Sequence, residues 1–594
     1  MALSFSVDGF RLVYIAITLL LWALSSIFSV GYFKSGEHTA RYHVFSALTL
    51  LSVIGVFLSA DLLTTFIFFE LLSLLSYPMV VHDETKPALR AGETYLAVSI
   101  IGGMSALMGL LLLRSLTGTL DIRLLREAYK TVDDTRMLYI SGALMLVGFG
   151  AKAGLFPLHI WLPQAHPVAP APASALLSGI LTKCGMFGVI VLSCEIFSGD
   201  TSWSIALLAI GLATMLVGAV RAVFSVDIKR TLACSSVSQM GFIAVGVAMQ
   251  GILGEHNALA VRGTILHMVN HSVFKLLLFL LAGVIYMNVH STGYDKIRGF
   301  ARRKPLFAAV FIISALGIAG VPYFSGYVSK TLLHESIVEG VHMQYADMRL
   351  IDLLRAAEAL FIFTGGLTAA YMIKLGAVLF GKRKAVLLLN PAQKEAHGKR
   401  PPALLFGVLA VVVPVFGSFP RIMESLAAYC EGFMHGHAPE HEVHYFAWEN
   451  IKGAVFSLAI GALVYIIIRI TTLRKDADGN TAYVGLQLRF LDLENMLYRP
   501  LIKGIVLAGA FFARVAETLP DAFVSLIKMT LLRPLKQGRF PGKFFGRYYL
   551  IINPEKDDEP PARTVVRAGF SVGLLLFGVG LCAMLVYLMF IAFN

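Results

Sequence analysis

Residues 137–157, MLYISGALMLVGFGAKAGLFP, have the length and apolarity of a helix that crosses a bilayer, yet they contain Lys152. Residues 171–193, APASALLSGILTKCGMFGVIVLS, repeat this combination with Lys183. A lysine in hydrocarbon costs about 2.5 kcal/mol or more, so such residues are rarely retained without a function. Further ionisable residues in or at the ends of apolar segments are Glu70, His267, His271, Lys275 and Lys330. A series of protonatable groups inside a bilayer is what a proton path requires.

The composition is that of a membrane protein. Of the 594 residues, 57% are hydrophobic and only 15% are charged, and the mean hydropathy is +0.74. A soluble protein of this size would expose far too much apolar surface to water, whereas lipid accepts it. We attribute the net charge of +13 to basic cytoplasmic loops rather than to nucleic-acid binding. The five cysteines form no C-x-x-C pair, so neither a disulfide framework nor an iron–sulfur site is predicted.

About fourteen transmembrane helices are predicted when each span requires roughly 20 apolar residues. Basic residues concentrate in the odd-numbered loops, which predicts that these loops face the cytoplasm and that both termini lie outside. The first ten residues lack the basic start of a cleavable signal. The predicted spans are residues 11–33, 41–59, 61–81, 92–114, 138–157, 171–196, 203–222, 231–250, 262–288, 306–329, 356–380, 402–419, 451–471 and 567–592.

Residues 476–566 do not form one more simple span, because charged residues interrupt their apolar segments. Helices with one charged face and one apolar face lie along a membrane or a partner. We therefore expect a lateral amphipathic helix on the cytoplasmic side, followed by a returning C-terminal span. An ordinary cytoplasmic helical domain is the alternative.

Prolines interrupt two of the predicted helices beside a lysine. Pro157 and Pro163 follow Lys152, and Pro322 precedes Lys330. Such breaks at membrane depth are tolerated where they are buried in protein or line a wet cavity. Two broken helices, each with a lysine, are typical of transporters built from internal repeats. The sequence therefore predicts an internally duplicated, all-α polytopic fold.

Glu70, His159 and His166 add further groups that can gain or lose a proton. Glu70 within reach of Lys152 would form an ion pair whose strength depends on separation and hydration; a structural hydrogen-bonding role for Glu70 is the alternative. His159 and His166 either extend the path towards the cytoplasm or only pack at the membrane interface.

His267, His271 and Lys275 lie four residues apart, so they share one face of a helix. Histidine exchanges protons near neutral pH, which suits a relay. Metal binding is the weaker alternative, because no acidic or cysteine ligand accompanies the two histidines. Four histidines of a predicted outer loop are expected to be solvated rather than to bind a metal: His435, His437, His441 and His444.

From about Asp8 to Gly381 the chain resembles the antiporter-like subunits of respiratory complex I, of Mrp-type sodium/proton antiporters and of membrane-bound energy-converting hydrogenases. The family pattern usually begins with two further helices before Asp8. The motifs that carry the likeness are Val7-Asp-Gly-Phe10, Phe69-Glu70-Leu-Leu, Ala151-Lys152 with Pro157 and Trp161-Leu, Ser174-Ala-Leu with Lys183, Asp227-Ile-Lys-Arg230-Thr-Leu-Ala with Ser238-Gln-Met-Gly241, His267 and His271 with Phe274-Lys275, and Pro322 with Phe324-Ser and Ser329-Lys330.

This resemblance implies two inverted five-helix repeats, each with a broken helix, joined along a hydrated axis at the membrane midplane. It implies that Glu70 and Lys152 form a switchable ion pair and that Lys183 is the central relay. His267, His271 and Lys275 would then link that centre to Lys330. The implied domains are residues 1–40 (N-terminal span), 41–200 and 201–400 (two antiporter-like repeats), 401–475 (additional spans and outer loop), 476–566 (lateral region) and 567–594 (C-terminal helix).

The resemblance further implies a bacterial or archaeal cytoplasmic membrane, with lipid and other membrane subunits as partners. Those partners include further antiporter-like subunits, small membrane subunits and a hydrogenase or dehydrogenase arm. Nucleic acid is not expected as a partner. Nothing in the sequence indicates binding of a flavin, nickel, haem or an iron–sulfur cluster, so any redox cofactors are expected in partner subunits and none in this chain. An enzyme acting alone is not expected, because no nucleophile–base set or metal site is evident. A self-contained ion transporter and the energy-coupling subunit of an inorganic-carbon uptake system remain alternatives. The residues do not indicate whether the net transported ion is a proton or sodium.

Overall fold

A computed structural model describes residues 3–33, 38–343, 347–382, 403–439, 441–475, 481–485, 492–501, 503–504 and 507–508. Residues 3–497 form one compact unit, and a second unit begins at Tyr498. Most of the predicted lateral region 476–566 and the whole predicted span 567–592 lie outside the described residues.

The described chain is almost entirely helical. Eleven of its helices are long and apolar enough to cross a membrane, or twelve when the bent pair Leu409–Ser418 and Pro420–Met434 is one span. Each of the first thirteen predicted spans coincides with a helix or a broken helix, and the total of fourteen stays a prediction. The helices are α1 Gly9–Tyr32, α2 Thr39–Leu58, α3 Leu62–Val80, α4 Lys86–Thr117, α5 Ile122–Ala128, α6 Thr135–Ala153, α7 Leu162–Val168, α8 Ala171–Leu176, α9 Thr182–Val191, α10 Thr201–Phe224, α11 Ile228–Leu253, α12 Ala258–Val289, α13 Tyr294–Ile297, α14 Pro305–Ala319, α15 Ser325–Val341, α16 Met348–Leu379, α17 Ala403–Ser418, α18 Pro420–Cys430 and α19 Trp448–Thr472.

Aspartates begin many of these helices. In each case the carboxylate accepts a hydrogen bond from a backbone N–H two or three residues further on, which satisfies a donor that the helix leaves unpaired. Asp61, which follows α2 and precedes α3, caps α3 in this way. The other capping aspartates are Asp8, Asp121, Asp134, Asp200 and Asp227.

Both predicted helix breaks are present. The helix α6 ends before Gly154, at φ +77°, and a short 3-10 helix, Leu158–Trp161, leads into α7. The helix α14 ends before Gly320, at φ +81°, and the chain restarts as α15. Glycine suits both positions because it adopts a left-handed conformation without steric cost.

Two elements lie at the centre of the bundle. The most apolar 18 residues of Ala171–Ile196 and of Ile228–His256 are all buried within the chain, whereas only 39% of the corresponding residues of α1 are buried. Close helix approach produces this core, since a Cβ at Gly185 would lie 2.4 Å from the backbone nitrogen of Ala153. The helix that carries Lys183 is therefore packed directly against the helix that carries Lys152.

Two local features were not predicted. The segments Leu177–Leu181 and Leu192–Ile196 are π-helical turns within the central helix. Leu473–Lys475 and Thr481–Tyr483 pair as a small antiparallel sheet, which the prediction of an all-α chain did not include. Propensity over three residues is too weak a signal to override a helical context.

Candidate functional site

Lys152 occupies the last turn of α6, where hydroxyl groups surround its ammonium. The Nζ atom donates to Ser73 Oγ at 2.9 Å and to the Tyr95 hydroxyl at 2.7 Å. That hydroxyl also lies 2.5 Å from Ser76 Oγ. Lys152 is buried, so neutral hydroxyls from α3 and α4 replace the water that its charge requires.

Glu70 lies on α3 one turn before Ser73. Its carboxylate packs on α4, where a Cβ at Gly103 would lie 2.2 Å from Glu70 Oε1. This oxygen is buried and has no hydrogen-bond partner in the described chain. Lys152 is the charged group that acts on Glu70 electrostatically, but within the described residues no ion pair joins the two. The predicted partners are neighbours, and in this state the lysine binds hydroxyls instead.

Lys183 is held at the centre by a backbone irregularity. Its Nζ donates to the carbonyl oxygen of Ser178 at 2.9 Å, within the π-helical turn Leu177–Leu181. Such turns misalign backbone carbonyls and often occur at functional positions. The same Nζ lies 2.5 Å from His271 Nδ1 on α12. Lys183 and His271 are both buried, so this contact is shielded from water.

Lys275 lies one helical turn beyond His271. Its Nζ donates to the Leu232 carbonyl oxygen at 2.9 Å and to Ser235 Oγ at 2.7 Å. Ser235 Oγ in turn lies 2.8 Å from the Tyr371 hydroxyl of α16. Tyr371 also contacts the side chains of Gln239 and Thr368.

His267 lies one turn before His271. Its Nε2 lies 3.0 Å from Gln239 Oε1, and its Nδ1 lies 3.1 Å from Ser329 Oγ. Ser329 immediately precedes Lys330 on α15. We call nine residues the central network: Lys183, His271, Lys275, Ser235, Tyr371, Gln239, His267, Ser329 and Lys330. Side-chain contacts join Lys183 to His271, and a separate series runs from Lys275 through Ser235, Tyr371, Gln239 and His267 to Ser329. His271 Nε2 has no hydrogen-bond partner in the described chain, and Lys330 adjoins the series as the residue after Ser329.

Lys330 reaches back across the second helix break. Its Nζ donates to the Ile318 carbonyl oxygen at 2.8 Å and lies 3.4 Å from that of Ala319. These carbonyls end α14, where the helix dipole is negative, so the site favours a cation. Lys330 thus lies at the second helix break, next to the end of α14.

The first and central groups are not joined by side-chain hydrogen bonds among the described residues. Cys184 lies between Lys152 and Lys183, since both lysines act on its thiol electrostatically. The tertiary structure therefore brings the sequence-selected residues into two neighbouring sets, Glu70 with Lys152 and the central network.

His159 and His166 are both fully buried. His159 Nε2 lies 3.4 Å from Arg221 Nη1 and its ring stacks on Phe156. His166 stacks on Phe279, and both of its ring nitrogens are without a hydrogen-bond partner in the described chain. Both rings therefore pack on phenylalanine side chains inside the chain.

The expected position of Lys229 needs correction. The predicted spans 203–222 and 231–250 place this residue in an odd-numbered loop. It is buried at the start of α11, and its Nζ donates to the Ala169 carbonyl oxygen at 2.8 Å. Lys229 and Lys275 are both close enough to His166 to act on it electrostatically. Lys229 lies two residues after Asp227, in the first turn of α11. A basic residue at the polar start of a helix gives no sequence signal of burial.

Lys374 is a buried lysine that the sequence reasoning missed. Its Nζ donates to the carbonyl oxygens of Val223 at 2.9 Å and Ser225 at 2.8 Å, at the end of α10. It lies within the predicted span 356–380, so the signal that singled out Lys152 was present here as well. The hydroxyl and amide partners Ser73, Tyr95, Ser235 and Gln239 had no distinguishing sequence signal.

The outer-loop histidines do not converge. His435 is half-buried, with Nε2 3.0 Å from Glu195 Oε1, whereas His437, His441 and His444 are exposed. Among the described residues, no group of three or more histidine, cysteine or acidic side chains is arranged to hold a metal ion.

The chain matches the family described as NADH:quinone oxidoreductase/Mrp antiporter, TM, over residues 59–353. It is 30% identical over 440 residues to hydrogenase-4 component B of Escherichia coli K12, covering 72% of this chain and 65% of that protein. It is 32% identical over 328 residues to an Na⁺/H⁺ antiporter protein of Alkalihalophilus pseudofirmus, covering 55% of this chain and 65% of that protein. It is 33% identical over 360 residues to the antiporter protein mnhD2 of Staphylococcus aureus, covering 59% of this chain and 70% of the relative.

The chain thus spans slightly less than two thirds of the length of the hydrogenase component and of the Alkalihalophilus antiporter protein. Two solved structures share its fold. The Mrp complex of Dietzia sp. DQ12-45-1b aligns with a TM-score of 0.63 at 24% identity, over 76% of this chain and 86% of that one. The membrane-bound sulfane sulfur reductase, an archaeal respiratory membrane complex, aligns with a TM-score of 0.60 at 23% identity, over 75% and 84%.

Proposed function

The chain belongs to the NADH:quinone oxidoreductase/Mrp antiporter transmembrane family, and on this premise we propose that it is a proton-translocating subunit of a multisubunit membrane complex. The observation that carries the proposal is the central network, in which Lys183 contacts His271 and neutral hydrogen-bonding side chains link Lys275 to His267, all of them buried. Each lysine or histidine can gain and lose a proton, and each hydroxyl can pass one on. A purely structural set of buried charges would instead be paired with opposite charges.

Lys152 and Glu70 control the first step of the proposed path. Lys152 binds Ser73 and Tyr95, while Glu70 Oε1 has no hydrogen-bond partner among the residues that the structure describes. Rotation of the lysine towards Glu70 would remove a cation from the neighbourhood of Lys183. The loss of a nearby cation would change the proton affinity of Lys183, and each unit of pKa change corresponds to about 1.36 kcal/mol. In this proposal the rotation of Lys152 therefore controls when Lys183 binds its next proton.

Protons enter from the cytoplasmic side in this proposal, through His159, His166 and Lys229. His166 is within electrostatic range of Lys229, at the start of α11, and of Lys275 of the central network. The basic odd-numbered loops support an orientation in which this end faces the cytoplasm and both termini lie outside. The membrane is then the cytoplasmic membrane of a bacterium or archaeon.

The two broken helices support the proposal that residues 41–200 and 201–400 are repeats of one unit. In each, a glycine with positive φ ends the first half-helix, and a lysine lies at the break. Redox chemistry, where the complex performs it, is assigned to partner subunits. Lysine and histidine relays favour protons over sodium as the ion carried by this chain.

The test is proton transport by the intact complex. Membranes that contain the full chain with its native partners are made into sealed vesicles, and acidification is followed with a pH-sensitive dye. We expect Lys183→Ala to abolish transport without loss of assembly. Lys130→Ala is the matched control, because Lys130 is an exposed lysine paired with Glu127. Normal transport by assembled Lys183→Ala protein would overturn the proposed function.

A further inference from the structure

A cavity of about 60 Å³ lies beyond the central network, between α15, α16 and α19. Lys330 lies at its inner end, and His334, one turn further along α15, lines it as well. A single water molecule needs roughly 10–15 Å³, so the cavity is large enough for several. The side chains of Thr331, Asn450 and Ser457 supply polar groups to its wall.

His334 belongs to a cluster of ionisable groups that the central network does not include. Its Nδ1 lies 3.3 Å from Glu335 Oε1, and its Nε2 lies 3.2 Å from Glu358 Oε1 of α16. We call His334, Glu335 and Glu358 the outlet cluster. The exposed fraction increases from Lys330 to the outlet cluster: Lys330 is 9% exposed, and the side chains of His334 and Glu358 are 22% and 31% exposed.

The outlet cluster has the composition of a proton acceptor. A neutral imidazole carries one N–H, yet both ring nitrogens of His334 face a carboxylate oxygen. Both contacts become hydrogen bonds only when one more proton is bound, either on the ring or on a carboxyl group. The geometry therefore provides a place for one additional proton at the part of the cavity wall that His334 forms.

We propose that the outlet cluster receives the proton that leaves Lys330 and releases it to the outer side of the membrane; this rests on the proposed function above. An N–H bond of the Lys330 ammonium breaks, and the proton crosses the cavity on water. It forms a new bond to His334 or Glu358, which leaves a neutral amine on Lys330. Release of the proton to bulk water returns the outlet cluster to its starting state. The other residues of the central network then supply a new proton to the Lys330 amine.

The position of the cluster along α15 fits this direction. The helix continues past His334 to Val341, and the loop after it is one of the even-numbered loops. In the proposed orientation that loop faces outside. Lys330 is thus the inner group and the outlet cluster is the outer group on the same helix.

Transport by sealed vesicles that contain the intact complex tests the role of the cluster. We expect His334→Gln and Glu358→Gln to slow proton transport about tenfold or more. The controls are His342→Gln, at the exposed end of α15, and Asp352→Asn, on α16, which should both transport normally. Normal transport by both cluster variants, while Lys183→Ala is inactive, would overturn the outlet and leave the proposed function standing. Normal transport by Lys183→Ala would overturn both.

Thiol labelling gives a second test that does not depend on activity. Ser457→Cys places a thiol in the cavity wall, and a small charged thiol reagent is added to one side of the membrane at a time. The unsubstituted protein supplies the background: Cys184, Cys194, Cys234 and Cys430 are buried, and Cys582, outside the described residues, is present in both proteins. We expect labelling from the outer side, several-fold above background and lost on prior blocking with an uncharged maleimide. Labelling from the cytoplasmic side alone, or from neither side, would overturn the outlet.

Discussion

The ammonium of Lys183 lies 2.5 Å from Nδ1 of His271, although 88 residues separate the two along the chain. The lysine needs no rotation to pass a proton to the imidazole, because the Ser178 carbonyl already holds it in place. When Nδ1 accepts from the ammonium, a neutral imidazole carries its own proton on Nε2. This contact joins the helix that carries Lys183 to the helix that carries the other half of the central network.

Replacing either member of this pair should stop proton transport. Lys183→Ala removes the donor, and His271→Phe removes the acceptor while filling a similar volume. Both should reduce transport to background in vesicles, while Lys183→Arg keeps the charge and should retain part of the rate. Blue native electrophoresis of the complex checks assembly. Full transport by assembled His271→Phe protein would exclude the histidine from the path.

Removing the hydroxyl of Tyr95 should change the balance between the two positions of Lys152. Tyr95→Phe deletes a hydrogen bond of 2.7 Å to the ammonium, and a hydrogen bond to a charged group contributes about 1.5–3 kcal/mol. Lys152 then shifts towards Glu70, and transport should fall by about tenfold. The measurement is the initial rate of vesicle acidification.

Glu70→Gln supplies the comparison for that variant, because it removes the negative charge that would attract Lys152. We expect it to abolish transport, and Tyr95→Phe combined with Glu70→Gln should be no slower than Glu70→Gln alone. Additive losses in the double variant would show that Tyr95 acts independently of the pair.

Lys374 should contribute to stability rather than to transport. It donates to two carbonyl oxygens at the end of α10 and lies outside the central network. Lys374→Met should lower the free energy of unfolding by about 1–3 kcal/mol, because two buried acceptors lose their donor. Thermal unfolding in detergent measures this loss. Transport per assembled complex should stay near normal, and a specific transport defect at unchanged stability would place Lys374 in the path.

His82 should make the chain less stable in acid. It lies just outside α3, packed against Phe33 and Tyr42 with ring centroids 4.7 and 5.7 Å away. Desolvation by burial lowers the pKa of His82 below its ordinary value of 6.5. The unfolded chain then binds this proton more readily, so stability falls as the pH drops through about 6.5.

The matched variant for that prediction is His82→Phe, which keeps an aromatic ring and cannot be protonated. Its melting temperature should fall less than that of the unsubstituted chain between pH 7.5 and pH 5.5. An equal fall in both proteins would show that His82 does not cause the acid sensitivity.

The amino-acid sequence alone determined the membrane class, the helices and their two breaks. These features depend on local chemistry: about 20 apolar residues match the bilayer, and Pro157 and Pro322 remove backbone donors wherever the chain is folded. The positions of Lys152, Lys183 and Lys330 within those helices were equally readable.

Only the tertiary structure decided which groups touch. It paired Lys183 with His271, gave Lys152 the hydroxyls of Ser73 and Tyr95 instead of the Glu70 carboxylate, and buried Lys229 in place of a solvated loop position. A contact between helices depends on close approach and on rotation about each helix axis. Those quantities are set by packing among residues far apart in the chain, which hydropathy along the sequence does not encode.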